Sequence, residues 1–183
     1  MKELRRQTVH LVLGLVFVTI GYFLGSAVLT TLLFLALASG LFLIHYYLRG
    51  FRHWTIHHLL VLLDRPHWLP AKGALFYVAG ALFLLSFMEF SFALGVLAIV
   101  AAGDGLATIV GRHSKVRLPY RREKSVMGLV FFVLGGFAAS VLLLGFHDAV
   151  IYSIALGLVE AFLPGDDNLL IPLSAVVLRV VLP

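Results

Sequence analysis

The sequence predicts an all-α integral membrane protein. It reads as a single domain over residues 1–183, a bundle of about seven transmembrane helices with one amphipathic helix on the cytoplasmic side. Three observations predict it. The chain is 61% hydrophobic and only 13% charged, too apolar for a soluble globular domain. Apolar runs near the length of a bilayer crossing, about 20 residues, recur along it. Its Lys and Arg gather in alternate loops, the pattern that sets membrane orientation.

The first run, 7–24, is too long for the apolar part of a signal peptide and has no small-residue cleavage site after it, so no cleavable signal is expected. The turn "LGS" leads to the second run, 26–48. Next comes "RGFRHWTIHHLLVLLDRPHWLPAK". Ile56, Leu59, Leu60 and Leu63 recur there at helical spacing, and Arg52, His53, Trp54 and His57 decorate the stretch. It reads as an interfacial helix stopped at Asp64-Arg65-Pro66. His53 and His57 are one turn apart, but no nearby carboxylate completes a zinc site, so a wet helix face near headgroups is the better reading. The third and fourth runs, 72–88 and 90–111, join through "MEFS". The fifth is 126–145, and two shorter ones, 148–163 and 169–182, complete the set.

Every Lys and Arg except Arg179 lies before the first run or in the loops that this alternation places on one side. That side is expected to be cytoplasmic, with the amino terminus inside and the carboxyl terminus outside. Arg179 is expected to snorkel to the outer interface or to pair inside the bundle. Glu89 and Asp148 fall in outer turns and are expected to face water. The net charge of +5 is therefore a topological signal and a rim for anionic headgroups. No nucleic-acid-binding module accompanies it, which argues against nucleic acid as a partner. Without cysteine the chain has no disulfide framework and no thiolate metal site.

A second group of polar residues has no such excuse. Asp104 lies inside the fourth run between Gly103 and Gly105, where an Asp near the bilayer centre costs roughly 2.5–3.5 kcal/mol on insertion scales. His10, Lys72, Lys124, Glu160, Asp166 and Asp167 come from distant parts of the sequence, and all map with Asp104 to the cytoplasmic half. In "LPGDDNLL", Asp166, Asp167 and Asn168 enter a run after a turn and offer oxygen ligands to a hard cation. In "EKSVMG", Lys124 and Ser125 open a helix with Gly128 one turn in, a start that can bind phosphate through free backbone N–H groups. The glycines beside Asp104 would let a ligand or backbone approach closely. Singly, each feature is an ordinary cap, turn or buried ion pair. Gathered on one face they are the equipment of phosphoryl or nucleotidyl transfer: Mg²⁺ on carboxylates and nucleotide phosphate, with Lys and Arg neutralising the remaining charge. No GxxxxGK[ST] loop and no kinase Gly-rich loop occurs, so a nucleotide would be held differently.

These residues carry a resemblance. "ELRRQTVHLVLG", "KGALFYVAG", "AAGDGLATIVGR", "KSVMG" and "VEAFLPGDDNLLIPL" occur in the order found in CTP-dependent lipid-alcohol kinases. The chain resembles that family over nearly its whole length. The family comprises dolichol, polyprenol and phytol kinases and a eukaryotic diacylglycerol kinase, and is similar in turn to CTP:phosphatidate cytidylyltransferases. The resemblance implies transfer of the γ-phosphoryl of CTP to a membrane lipid alcohol, preferably an isoprenoid one, with Mg²⁺ or another divalent cation. It implies a catalytic set of Asp104, Asp166 and Asp167, one of which would be the general base. Asp104, Glu160, Asp166, Asp167 and Asn168 would hold the metal; Gly103, Gly105, Arg112, Lys124, Ser125 and Gly128 would hold the nucleotide. Arg6, His10 and Lys72 would assist. Two positions depart from the family: Glu123 stands where Gly is frequent, and Met127 where an acidic residue is frequent.

Two other readings use the same residues. A cytidylyltransferase would make a CDP-lipid and pyrophosphate with the same metal and CTP. An ion-coupled transporter would use the intramembrane carboxylates as an ion path, without consuming CTP; the halves show no convincing inverted repeat to support it. A non-catalytic membrane subunit gives no reason for polar motifs gathered on one leaflet. Small-residue stretches such as "LGGFAAS" permit close helix packing within the chain or in a homo-oligomer.

Overall fold

Glycine, more than loop length, decides where this chain turns. In the computed structural model, which describes residues 2–51, 53–63 and 69–181, the first helix α1 runs Lys2–Leu48 but breaks at Gly25, whose φ of 84° and ψ of 175° are not helical. A straight helix of that length would measure about 70 Å, over twice a bilayer's hydrocarbon core. The chain instead doubles back. A Cβ at Gly21 would meet Leu29 and Leu94, while Gly14 lies by Tyr77 and Ala101, and Gly40 by Leu75. The two arms are the predicted runs 7–24 and 26–48. Only Gly tolerates such a positive φ without strain.

Among the described residues all regular secondary structure is helical. After α1 come α2 (Trp54–Leu63), α3 (Lys72–Phe87) and α4 (Phe90–Ile99). A π-turn, Val100–Asp104, continues into α5 (Gly105–Gly111). Then follow α6 (Val126–Leu144), α7 (Phe146–Phe162) and α8 (Asp167–Val181). By length and composition Leu4–Leu48, Phe90–Gly111 and Val126–Leu144 can each cross a membrane, and α3 is a shorter apolar helix. Many large apolar side chains face outward, among them Phe23, Phe34, Phe42, Leu134 and Leu142. Such a surface marks association with a membrane. The helix predicted after the second run is α2; the Asp64-Arg65-Pro66 stop, Arg52, and the side chains of Ile56, Leu59 and Leu63 lie outside the described set. His53 and His57 form no metal cluster among the described residues; their Nδ1 atoms pair with Thr55 and Tyr47, each at 2.9 Å.

The α4–π–α5 unit is the axis of the bundle. It touches α1, α3, α6, α7 and α8, and all of Phe92–Gly105 is buried. Its Ala and Gly residues let neighbours close in: a Cβ at Gly95 would overlap Leu144, and one at Gly14 of α1 would reach Ala101 at 2.5 Å. At the end of α6, Gly145 (φ 78°) stops one helix and starts the next, so α6 and α7 form a hairpin that begins two residues before the predicted sixth run. Arg179 is half-buried and pairs with Asp148 at 3.2 Å, its guanidinium 4.9 Å from the centre of the Phe92 ring. Asp148 thus ties α7 to α8 instead of simply facing water; Glu89 is exposed as expected.

Helix α8 contains Pro172, which has no N–H for the carbonyl of Asn168. Gly80 of α3 sits against that carbonyl, where an added Cβ would come within 2.5 Å of the oxygen and 2.9 Å of the proline ring. Gly80→Val is therefore expected to push α8 off α3 and cost about 1–3 kcal/mol, read as a lower thermal midpoint in detergent. An unchanged midpoint would show that the helices separate freely there.

Candidate active site

One end of the bundle collects the ends of five helical segments. Asp104 closes the π-turn, and Glu160 lies in the last turn of α7. Lys124 precedes the Ser125 N-cap of α6, Asp166–Asn168 begin α8, and Lys72 begins α3. Asp166 caps α8: its side chain accepts from the Asn168 N–H at 3.3 Å, and its carbonyl accepts from Leu169 and Leu170. Gly165, with φ of 143°, makes the preceding turn. The loop between α5 and α6 is a small hairpin, with an isolated antiparallel bridge between Arg117 and Ser125 and a buried Leu118 as anchor. That hairpin, which the apolar periodicity gives no sign of, aims Lys124 inward.

The resulting geometry is an ammonium among carboxylates. Lys124 Nζ donates to Glu160 Oε1 and, at 2.7 Å, to Asp167 Oδ2. Asp104, Glu160 and Asp167 can each offer one oxygen such that all lie within 4.8 Å of one another. Asp104 is 8% exposed and Glu160 2%. Burial alone would lower the pKa of Lys124; Glu160, Asp167 and Asp104 outweigh it and hold the ammonium above the ordinary lysine value. Nearby, Lys72 Nζ lies 3.4 Å from Asp166 Oδ2, and Asn168 Nδ2 donates to the Gly73 carbonyl at 3.2 Å. His10 Nε2 lies 3.9 Å from Asp104 Oδ2, too far for a hydrogen bond.

The arrangement fits a divalent cation. Its donors are hard carboxylate oxygens, the type that Mg²⁺ prefers, and Asp167 Oδ1 is buried without a hydrogen-bond partner. A buried acceptor left unsatisfied in this way is costly unless something completes it. The trio opens into a cavity of about 550 Å³. Its lining includes Asp104, Lys124, Ser125, Gly128, Glu160 and Asp166–Asn168, together with Arg6, His10, Lys72 and Arg112.

Two expectations are corrected. Gly103 and Gly105 do not line the cavity; added Cβ atoms would meet the Phe132 ring at 3.1 Å and Leu11 at 2.8 Å. The close approach at both is by neighbouring side chains. The start of α6 is also less free than expected: the Val126 N–H donates to the Val116 carbonyl, and the Gly128 N–H to Ser125 Oγ at 3.0 Å. Ser125 and Gly128 line the cavity, but those two amides are engaged. Gly128 also packs closely, since a Cβ there would lie 3.1 Å from the Ala107 carbonyl.

Three lining residues escape a reading of the sequence. Arg121 donates through Nη1 to the carbonyls of Glu160 and Leu163, tying the hairpin to the end of α7. Its Nε donates to Glu123, and that hydrogen bond holds the exposed carboxyl below the usual glutamate range. Nothing in a run of basic loop residues singles Arg121 out. Gln7 and Tyr77 are both buried at the cavity wall, and each reads in sequence as an ordinary helix residue.

Comparison with known proteins bears on this site. The chain is 31% identical to an uncharacterized protein of Methanocaldococcus jannaschii, over 94% of this chain and 90% of that protein. It is 30% identical to a probable phytol kinase 2, chloroplastic, of Oryza sativa subsp. japonica and 31% identical to farnesol kinase, chloroplastic, of Arabidopsis thaliana. Each of these matches covers 95% of this chain but only 64% of the plant protein. No family model and no solved structure matches the chain.

Proposed function

Because the chain belongs to one family with the Methanocaldococcus jannaschii protein, and its homologues at about 30% identity are phytol and farnesol kinases, we propose that it is a CTP-dependent lipid-alcohol kinase. In this reading it is a multi-pass membrane protein with its amino terminus and active site on the cytoplasmic side. The acceptor is an isoprenoid alcohol of the phytol or farnesol class; longer polyprenols of the dolichol type and diacylglycerol are the competitors. One observation carries the reading: the Asp104–Glu160–Asp167 trio around Lys124, buried at the end of an apolar bundle yet open to a cavity. The basic residues Lys72, Arg112, Arg121 and Lys124 line the same cavity, which supports both the orientation and a polyanionic co-substrate.

Asp104, Glu160 and Asp167 would hold Mg²⁺, which would supply charge neutralisation at the nucleotide phosphates. Lys124, Lys72 and Arg112 bind and orient the phosphates, and the apolar bundle excludes bulk water from the transferred group. The acceptor hydroxyl oxygen bonds to the γ-phosphorus as the bond from that phosphorus to the β–γ bridging oxygen breaks. CDP leaves with the electron pair. The hydroxyl proton passes to a carboxylate, Asp104 or one of the Asp166–Asp167 pair.

The test uses the full chain in detergent with Mg²⁺ and CTP labelled at the γ-phosphate, offering farnesol, phytol, a long polyprenol and diacylglycerol separately. Labelled lipid with CDP is expected, lost on chelation of the divalent cation. Pyrophosphate release with phosphatidate as acceptor would make the protein a cytidylyltransferase. Intact CTP with every acceptor, and intact ATP in its place, would sink the kinase reading and favour a transporter.

A further inference from the structure

The cavity has a second half that phosphate chemistry does not use. Beyond His10 its walls become apolar, formed by Val9, Leu13 and Phe17 of α1 and by Ala74 and Val78 of α3. Leu13 and Ala74 are exposed, so the cavity opens sideways between these helices on the apolar flank of the bundle. From His10 to Phe17 the wall extends about 10 Å along α1. At the junction of the two halves sit two polar groups without hydrogen-bond partners among the described residues. Tyr77 is 6% exposed and its hydroxyl is buried and unsatisfied; His10 Nε2 is buried and unsatisfied as well. The Tyr77 ring stands edge-on to the His10 ring, with centroids 5.0 Å apart and planes at 84°. Gly14 lets Tyr77 and Ala101 pack directly against α1, since a Cβ there would lie 3.1 Å from the Tyr77 hydroxyl oxygen and 2.5 Å from Ala101. Buried tyrosine hydroxyls usually find a partner, so an unpaired one in a cavity wall points to a ligand.

We propose that this half is the acceptor seat: Tyr77 Oη and His10 Nε2 hold the alcohol's hydroxyl beside Asp104, and its hydrocarbon chain lies between α1 and α3, entering past Leu13. The proposal rests on the lipid-alcohol reading. It makes Tyr77 the positioning residue for the nucleophile and Phe17, tilted against Tyr77 at 6.5 Å between ring centres, the inner wall for the chain. A polar end adjoining an apolar arm with a lateral mouth suits an amphiphile whose one polar group is terminal. It suits neither a sugar nor a free anion.

Two experiments on the full chain test it. Tyr77→Phe keeps the ring against His10 and removes only the hydroxyl. It is expected to raise the KM for the alcohol about 3- to 10-fold, the effect of one net hydrogen bond, with the KM for CTP unchanged. An unchanged alcohol KM, or an equal rise in both, would overturn the hydroxyl assignment. The second readout needs no turnover. A farnesol analogue carrying a diazirine in its chain, photolysed with the wild-type protein, is expected to label residues 9–17 or 74–78, and excess farnesol is expected to suppress the label. Labelling confined to the outward faces of α6 or of residues 26–48 would overturn the seat. That labelling without phosphoryl transfer to any alcohol would keep the seat and remove the kinase activity, which separates the two ideas.

Discussion

Lys124→Met is expected to lower turnover by about 10³-fold and to destabilise the bundle by about 3–5 kcal/mol. The stability loss follows from what Lys124 leaves behind. Its ammonium donates to Glu160, a carboxylate 2% exposed, and to Asp167 at 2.7 Å. Removing one partner of a buried pair strands the other charge in a low-dielectric interior, and that stranded charge dominates the cost. Because the pKa of Lys124 is raised in the fold, its contribution is fully present below the unfolded lysine value of about 10.4 and is lost only as pH rises through the folded value. The stranded carboxylates carry the cost only while ionised, so the thermal deficit of the variant is expected to be greatest at alkaline pH and to shrink as pH falls and they take up protons. The double variant Lys124→Met/Glu160→Gln removes the more deeply buried of the two stranded charges and is expected to recover part of the stability while remaining inactive. That pairing separates folding from chemistry. A Lys124→Met protein with wild-type γ-phosphoryl transfer would remove Lys124 from the site.

Asp104→Asn is expected to move the two properties in opposite directions. Asp104 is buried, and although it helps to hold the Lys124 ammonium, among the described residues no cation lies within hydrogen-bond distance of it, His10 being 3.9 Å away. It faces Glu160 and Asp167 across less than 5 Å, where like charges repel. Neutralising it relieves that repulsion in an isosteric side chain, so the melting temperature is expected to hold or rise. Turnover is expected to fall by about 10²–10³-fold, with more Mg²⁺ needed for half-maximal rate, because a hard-cation ligand has been weakened. A carboxylate kept against the interest of stability marks a functional position. Equal losses of stability and activity would instead make Asp104 a packing residue.

Much of the fold was legible because apolar length and basic loops are crude, strong signals. The runs 72–88, 90–111 and 126–145 need only length, and Gly25 between two such runs needs only the observation that a helix of that length would be twice too long. The convergence of Asp104, Lys124, Glu160 and Asp167 was legible for the same reason: once spans alternate, their ends must meet on one side. What the sequence hid is whatever depends on the facing residue. A glycine beside Asp104 looks the same whether it yields to a nucleotide or, as at Gly103, to Phe132. Arg121 differs from Arg122 only in lying against the end of α7. Asp148 and Arg179 are 31 residues apart, and nothing local announces their pairing. Tyr77 passes for one more aromatic in an apolar helix until the wall it belongs to is seen.

The helix at the axis of the bundle has a history different from its final surroundings. Phe90–Gly111 leaves the ribosome before α6, α7 and α8, three of the helices that later enclose it. Its 22 residues are long and apolar enough to cross a membrane, although in the finished molecule the other helices cover most of them.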